Sequence, residues 1–416
     1  MHPIPHAAEP VPPTAAAEIL AMLQSGDLFR YSADGNAPVT RLEKAFAEFM
    51  GAPFALAVNS CSSAIFLSLK TLGLGSGERV LMPAFTFAAV PSAVLHAGCT
   101  PVLANIGPDL RLDIEDFERN LTSDIHAVLL SHMRGHTSDM DAVMRLCQAR
   151  DIPVIEDAAH SLGATWSGQK VGTIGRIGCF SFQSYKLVNA GEGGMLVSRD
   201  PDLVARAIIM SGAYEHNWKK HAIVNDRFRH WQNRLPLYGL RMNNLSAAVA
   251  LSQIDDIPRR ARKGRENHDY LATGLIASGW FDVPASLPQE CRAPDSIQFT
   301  LNGLDTEERA ADFRRLADER GVQVEIFGRS RDNARAFWNW GFLDPQPGLS
   351  PTRAVLERTC DVRLPVQMDK PSLDSVVEAL VGAAQSAAAA KSPACWQGTP
   401  QSATALVGSY RIGVDR

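Results

Sequence analysis

No run in the 416 residues approaches the apolar length that a bilayer-spanning helix needs, and the stretch MHPIPHAAEPVPP lacks a hydrophobic signal core. A cytoplasmic protein with no membrane partner is the expectation. Basic blocks are missing too. The chain has 41 Lys and Arg against 45 Asp and Glu, and this formal charge of −4 offers nucleic acid no electrostatic footprint. The seven cysteines, at 61, 99, 147, 179, 291, 360 and 395, are odd in number and form no CxxC pair. That favours reduced thiols over a disulfide or zinc framework. A dinucleotide loop is absent as well. Gly172, Gly175 and Gly178 lack the G-x-G-x-x-G order between a strand and a helix, as does Gly191-Glu192-Gly193-Gly194.

What is present centres on Ile152 to Asp200. The apolar run Pro153-Val154-Ile155 ends in two acids, Glu156 and Asp157. This reads as a buried strand delivering a side chain to its C-terminal edge, where open α/β sheets bind ligands. Further on come Cys179-Phe180-Ser181-Phe182, then Lys186, a glycine cluster at 191–194, and the strand-like run Met195 to Ser198. A lysine held between two strands by a glycine-rich loop is placed for a reactive amine rather than a solvated charge. A strand-end acid with a desolvated lysine is the pairing that pyridoxal 5'-phosphate chemistry requires.

The acid–Asp–Ala–Ala–His run at 156–160, Phe180-Ser181-Phe182, Lys186 and the Gly191–Gly194 cluster together resemble the DegT/DnrJ/EryC1/StrS aminotransferases. The resemblance implies fold type I, the aspartate aminotransferase-like architecture: a large, doubly wound, mostly parallel α/β domain and a smaller C-terminal α+β domain. It implies Lys186 as the Schiff-base lysine and proton carrier, and Asp157 as partner of the pyridinium nitrogen. His160 would contact the ring's phenolic oxygen, and Phe87 would stack on the ring. Ser181, Ser62 and the Cys61 amide would bind the phosphate. It further implies a homodimer with shared sites, taking an amino group from glutamate or glutamine to a keto-sugar-type acceptor. The opening Arg30-Tyr31, the turn Ser131-His132-Met133 and the segment Phe327 to Trp340 resemble the branch whose product is 8-amino-8-deoxy-Kdo. That widens the acceptor class to sugar acids.

Two positions depart from the family pattern. Cys61 stands where a glycine is usual, and Gly239 stands where an Asn reaches the neighbouring subunit's phosphate; Asn233 and Arg234 are substitutes to consider. Substrate-binding candidates are Arg30, Tyr31, His216 and Arg329. His132, His136 and Asp139 admit a metal reading, but their spacing fits a strand-end loop capping the helix Met140 to Gln148. The expected layout is a loose arm over 1–13, a large domain over 14–257, a small domain over 258–390 and a mobile tail over 391–416. Expected strands include Val322 to Phe327 and Leu364 to Val366, and helices are expected over Ala64 to Leu72 and Ser246 to Ile254. A decarboxylating or cyclising enzyme would keep the same residues. A non-catalytic binding member would most simply have lost Lys186 or Asp157, and a sugar dehydratase of the family would carry His at the lysine position.

Overall fold

The computed structural model describes residues 8–32, 35–222, 226–304 and 306–389. Residues 1–7 of the expected arm and the whole expected tail, 391–416, lie outside them. Short apolar strands alternate with helices through the first half: β1 (Phe54–Val58), β2 (Arg79–Pro83), β3 (Thr100–Ala104), β4 (Ile125–Ser131) and β5 (Val154–Asp157). A small hairpin follows, β6 (Thr165–Trp166) and β7 (Gln169–Lys170), and then β8 (Ile177–Ser181) and β9 (Gly194–Ser198). Seven of these form one sheet in the order β1-β9-β8-β5-β4-β2-β3. Every pairing in it is parallel except the two that β9 makes. Alternate residues of β1 enter different apolar clusters, Leu56 and Val58 in one, Ala55 and Ala57 in the other. The strand period of two thus separates two helix-covered faces.

The second unit is an antiparallel sheet ordered β10-β12-β14-β13. Its strands are β10 (Phe281–Asp282), β12 (Ser296–Leu301), β13 (Glu325–Ile326) and β14 (Thr359–Arg363), while β11 (Glu290–Cys291) pairs back to β6. The helix Ile257–Ala277 joins the two units: Ile257 and Ala261 pack in the large core, Leu271 and Leu275 in the small one. The domain boundary therefore runs through a helix rather than a linker.

Several elements differ from expectation. Glu9 and Pro10 are not part of a loose arm. The Glu9 amide donates to the Ser184 carbonyl, its carboxylate accepts from Val366 N, and Pro10 O accepts from Arg260. The last strand is Thr359–Arg363, with Leu364 to Val366 beyond it, because pairing with β12 ends at Ser296. Of the 322–327 run only Glu325–Ile326 forms a strand, an edge against β14 alone, which Phe327 N extends by one bond to the Thr359 carbonyl. The helix expected from Ala64 begins at Cys61, capped by the Ser60 hydroxyl on Ser63 N. The next begins at Asn244, capped by Asn243, and ends at Leu251.

The adjacent acids of β5 part company because neighbouring strand residues face opposite sides. Glu156 is fully buried and accepts from Gly172 N at 2.7 Å, Ile174 N at 2.8 Å and Gly175 N at 2.6 Å. Gly172 and Gly175 belong to this loop and Gly178 to β8 against it: a β-carbon on Gly178 would run into the Gly172 carbonyl. Glu156→Ala would orphan three N–H groups, that of Gly172 buried and those of Ile174 and Gly175 partly so. It is expected to cost about 3–5 kcal/mol of stability, read as a lowered urea midpoint with an unchanged slope.

Candidate active site

The carboxyl ends of the parallel strands converge on a cleft of about 530 Å³. Asp157 ends β5 and sits opposite Ser131, which ends β4. The Ser131 hydroxyl donates to Asp157 Oδ2 at 2.6 Å and lies 2.6 Å from Thr86 Oγ1. Asp157 thus keeps its carboxylate in a fixed plane at the cleft wall. The helix Cys61–Thr71 starts beside it, with Cys61 Sγ 3.8 Å from Asp157 Oδ1. Burial first, then Asp157, pushes the Cys61 thiol well above its ordinary pKa, so it stands there as a neutral group. The strand β9 starts hard against this turn. A β-carbon on Gly194 would run into the Ser60 carbonyl, which is why the cluster ends in glycine.

Lys186 lies in the loop between β8 and β9, with its Nζ 2.7 Å from His160 Nε2 and 3.2 Å from His160 Nδ1. Burial lowers the lysine to about 8, with Arg134 and Arg335 adding to the effect and Asp295 and Asp157 opposing it. Burial and the neighbouring lysine also lower His160 to about 3, so the imidazole is neutral. Its Nδ1 lies 3.3 Å from Asp295 Oδ2. Donation from Nδ1–H to Asp295 leaves Nε2 as the acceptor for Lys186. Burial disfavours the Asp295 charge, yet the His160 hydrogen bond, Arg134 and Lys186 hold it well below the carboxylate range.

Lys186, Asp157, His160, Phe87, Ser181, Cys61 and Ser62 all line this cleft. Four other expected residues are not brought there. Arg30 is buried in an ion pair with Glu43 at 2.7 Å, and the Tyr31 hydroxyl bonds His221 at 2.8 Å; both are locked into packing around the helix Pro38–Met50. His216 is exposed beside the turn Asn217–Lys220. Arg329 donates to the Glu357 carbonyl and opens onto an adjoining hollow. The histidines of the metal reading also have other work. His132 meets Glu156 and His136 meets Gln298, while Asp139 caps the helix Met140–Gln148. Sequence reasoning missed Asp295, Arg134, Arg335 and Arg363, which the small unit and a left-handed turn bring in. Arg134 has φ 55.

Pyridoxal phosphate can be tested against these groups. Phe87 is 44% exposed although it lines a cleft, so a ring face is available for stacking. The first amides of the helix Cys61–Thr71 precede its hydrogen-bond ladder and, with the Ser62 and Ser181 hydroxyls at the same cleft, suit a phosphate. A lysine at about 8 suits covalent capture of an aldehyde, and Asp157 suits a protonated ring nitrogen. The residues fit the cofactor.

A large, mostly parallel sheet, a small α+β unit and a buried lysine at the strand ends define a fold type I transferase. Residues 14–381 match the sequence profile of the DegT/DnrJ/EryC1/StrS aminotransferase family, and the chain belongs to that family. It is 34% identical over 249 residues to the spore coat polysaccharide biosynthesis protein SpsC of Bacillus subtilis, covering 58% of this chain and 62% of that one. Identity is 30% over 334 residues to the 3-amino-5-hydroxybenzoate synthase of Amycolatopsis mediterranei, covering 78% and 82%. The aminotransferase TlmJ from Streptoalloteichus hindustanus shares the fold, with a TM-score of 0.79 at 22% identity over 92% of this chain and 99% of that one. The aligned stretch spans about three fifths of the length of several of the curated relatives. Among the described residues no helix is long and apolar enough to cross a membrane.

Proposed function

We propose that this protein is a pyridoxal-phosphate-dependent aminotransferase of aminosugar biosynthesis. It would move an amino group from glutamate or glutamine to the keto or aldehyde carbon of a sugar, sugar nucleotide or sugar acid. The observation that carries this reading is Lys186, desolvated and set against a neutral His160 in the cleft that Asp157 lines. Membership of an aminotransferase family supports it, as does the name of the polysaccharide-biosynthesis relative.

When bound, the cofactor supplies an electron-accepting ring that makes the donor's Cα–H acidic. The chain's own residues do the rest. Asp157 would hold the ring nitrogen protonated, with Ser131 and Thr86 fixing the carboxylate. His160, oriented by Asp295, would hold the ring's oxygen. Lys186 would capture the cofactor and, once released by substrate amine, take the proton from the donor's Cα and return it at C4′ of the cofactor. Its lowered pKa matters for that step, because an ordinary ammonium is a poor base. The first amides of the helix Cys61–Thr71, Ser62 and Ser181 would anchor the phosphate.

A homodimer with shared sites belongs to the same proposal. Leu20, Leu23, Phe29, Tyr214 and Leu237 put large apolar groups on the surface, which supports association. Gly239 has no side chain with which to reach a partner's phosphate, so that contact would fall to other groups. A cytoplasmic setting is supported by the free thiols of the six described cysteines.

The test is a visible spectrum of the purified protein with pyridoxal phosphate, before and after glutamate or glutamine. The expected result is a visible band that either donor bleaches. A band that ignores both donors would point to other chemistry at an amine, and no band would end the enzymatic reading.

A further inference from the structure

Charge in the cleft is uneven. Arg134 pairs with Asp361 and lies 3.9 Å from Asp295, while Asp157 takes the Ser131 hydroxyl. Arg335 and Arg363 line the same cleft, yet neither forms an ion pair with a carboxylate among the described residues. Nε of Arg335, and Nε and Nη2 of Arg363, are buried with no hydrogen-bond acceptor. The two guanidiniums lie instead near aromatic rings. Arg335 is 5.8 Å from the centre of Phe87 and 5.9 Å from that of Phe327, and Arg363 is 4.9 Å from that of Tyr185. Ring contacts leave the planar donor fork of an arginine available to a bidentate oxyanion. Asp361, Glu325 and Asp295 reach Arg335 only through their field; burial, with Arg134, lowers it to about 10. A buried cation in that position is costly until an anion arrives.

We propose that Arg335 and Arg363 form an oxyanion subsite that holds a carboxylate or phosphate of the acceptor, an assignment that rests on the aminotransferase reading above. The shape of the site favours the acceptor over the donor. Both arginines, with Arg134, also line a second hollow of about 820 Å³ that extends over the small unit past Arg314 and Arg329. They stand where the reactive cleft opens into this larger space. An oxyanion held there belongs to a molecule that reaches Lys186 at one end and continues beyond the arginines at the other. Amino acid donors are short for that span. Arg329, expected from sequence to bind substrate, then serves the far end of the acceptor rather than the reacting centre.

The experiment titrates the cofactor-loaded protein with gluconate, glucose 6-phosphate and the uncharged glucitol by calorimetry. At least one acidic sugar is expected to bind tenfold or more tightly than glucitol. Arg335→Gln and Arg363→Gln are each expected to remove most of that preference, and Arg335→Lys to restore part of it. Tighter gluconate identifies a carboxylate as the natural group, and tighter glucose 6-phosphate a phosphate. Equal binding of glucitol and both acids, or a preference that survives both Gln variants, overturns the subsite. If bleaching by glutamate weakens in the variants as much as acidic-sugar binding does, the arginines serve the donor and the acceptor assignment fails. A wild-type protein without a visible band would defeat the aminotransferase reading instead, and the same titrations on cofactor-free protein would still decide the subsite.

Discussion

Replacing Lys186 with alanine is expected to lower amino transfer by at least about 10⁴-fold, some 5.5 kcal/mol of barrier, and to abolish the lysine-dependent visible band. The size follows from the two tasks that one side chain would carry, covalent capture and proton movement. Both need the neutral amine. With a pKa of about 8, roughly half of Lys186 is neutral at pH 8, against about 0.3% for a lysine at its ordinary 10.5. The sign of the pH dependence follows: capture of pyridoxal phosphate by the cofactor-free protein should speed up as pH rises and level off above about 8. Lys186→Arg keeps a cation beside His160 but offers no nucleophile, so it should be as inactive as the alanine variant. Transfer within a hundredfold of wild type in either variant would remove Lys186 from the chemistry.

The lysine, its loop and the strand-end acid were legible because their chemistry is local. A short apolar run, a charge at its end and a glycine cluster can be read along the chain. The difference between Glu156 and Asp157 was also accessible in principle, since neighbours on a strand face opposite sides. Which side holds the cleft is decided only by the sheet order, and that places Asp157 beside Ser131 and Glu156 under the glycine loop. Arg30 and Tyr31 are polar candidates on sequence alone. Their partners, Glu43 and His221, lie 13 and about 190 residues away, and no local pattern announces such a pairing. Asp295, Arg335 and Arg363 come from the small unit, where acids and arginines are common and none stands out. Their place at the cleft depends on how the helix Ile257–Ala277 ties the two cores together. The Cys61 departure also reads differently in three dimensions. The position begins a helix and packs against β9, so the close approach that a glycine would provide is supplied by Gly194 instead.

Asp157→Asn is expected to cut transfer on the order of 10³-fold, about 4 kcal/mol of barrier, with the fold and cofactor binding largely kept. Ser131 gives its single hydroxyl proton to Asp157 Oδ2, so Thr86 must give its own to Ser131. An asparagine amide can reverse this chain by donating to Ser131 Oγ, which lets the hydroxyls rotate and leaves the side chain in place. What the variant would lose is the negative charge that, on the proposed roles, would keep the ring nitrogen protonated and the ring able to draw electrons from Cα. Ser131→Ala removes the hydroxyl that fixes the carboxylate while keeping the charge, and should cost far less, about tenfold. Single-turnover kinetics with glutamate would separate the two, because loss of charge slows proton removal from Cα whereas loss of orientation mainly weakens cofactor retention. If Asp157→Asn transfers within tenfold of wild type, the acid at the end of β5 is a structural group like its neighbour Glu156.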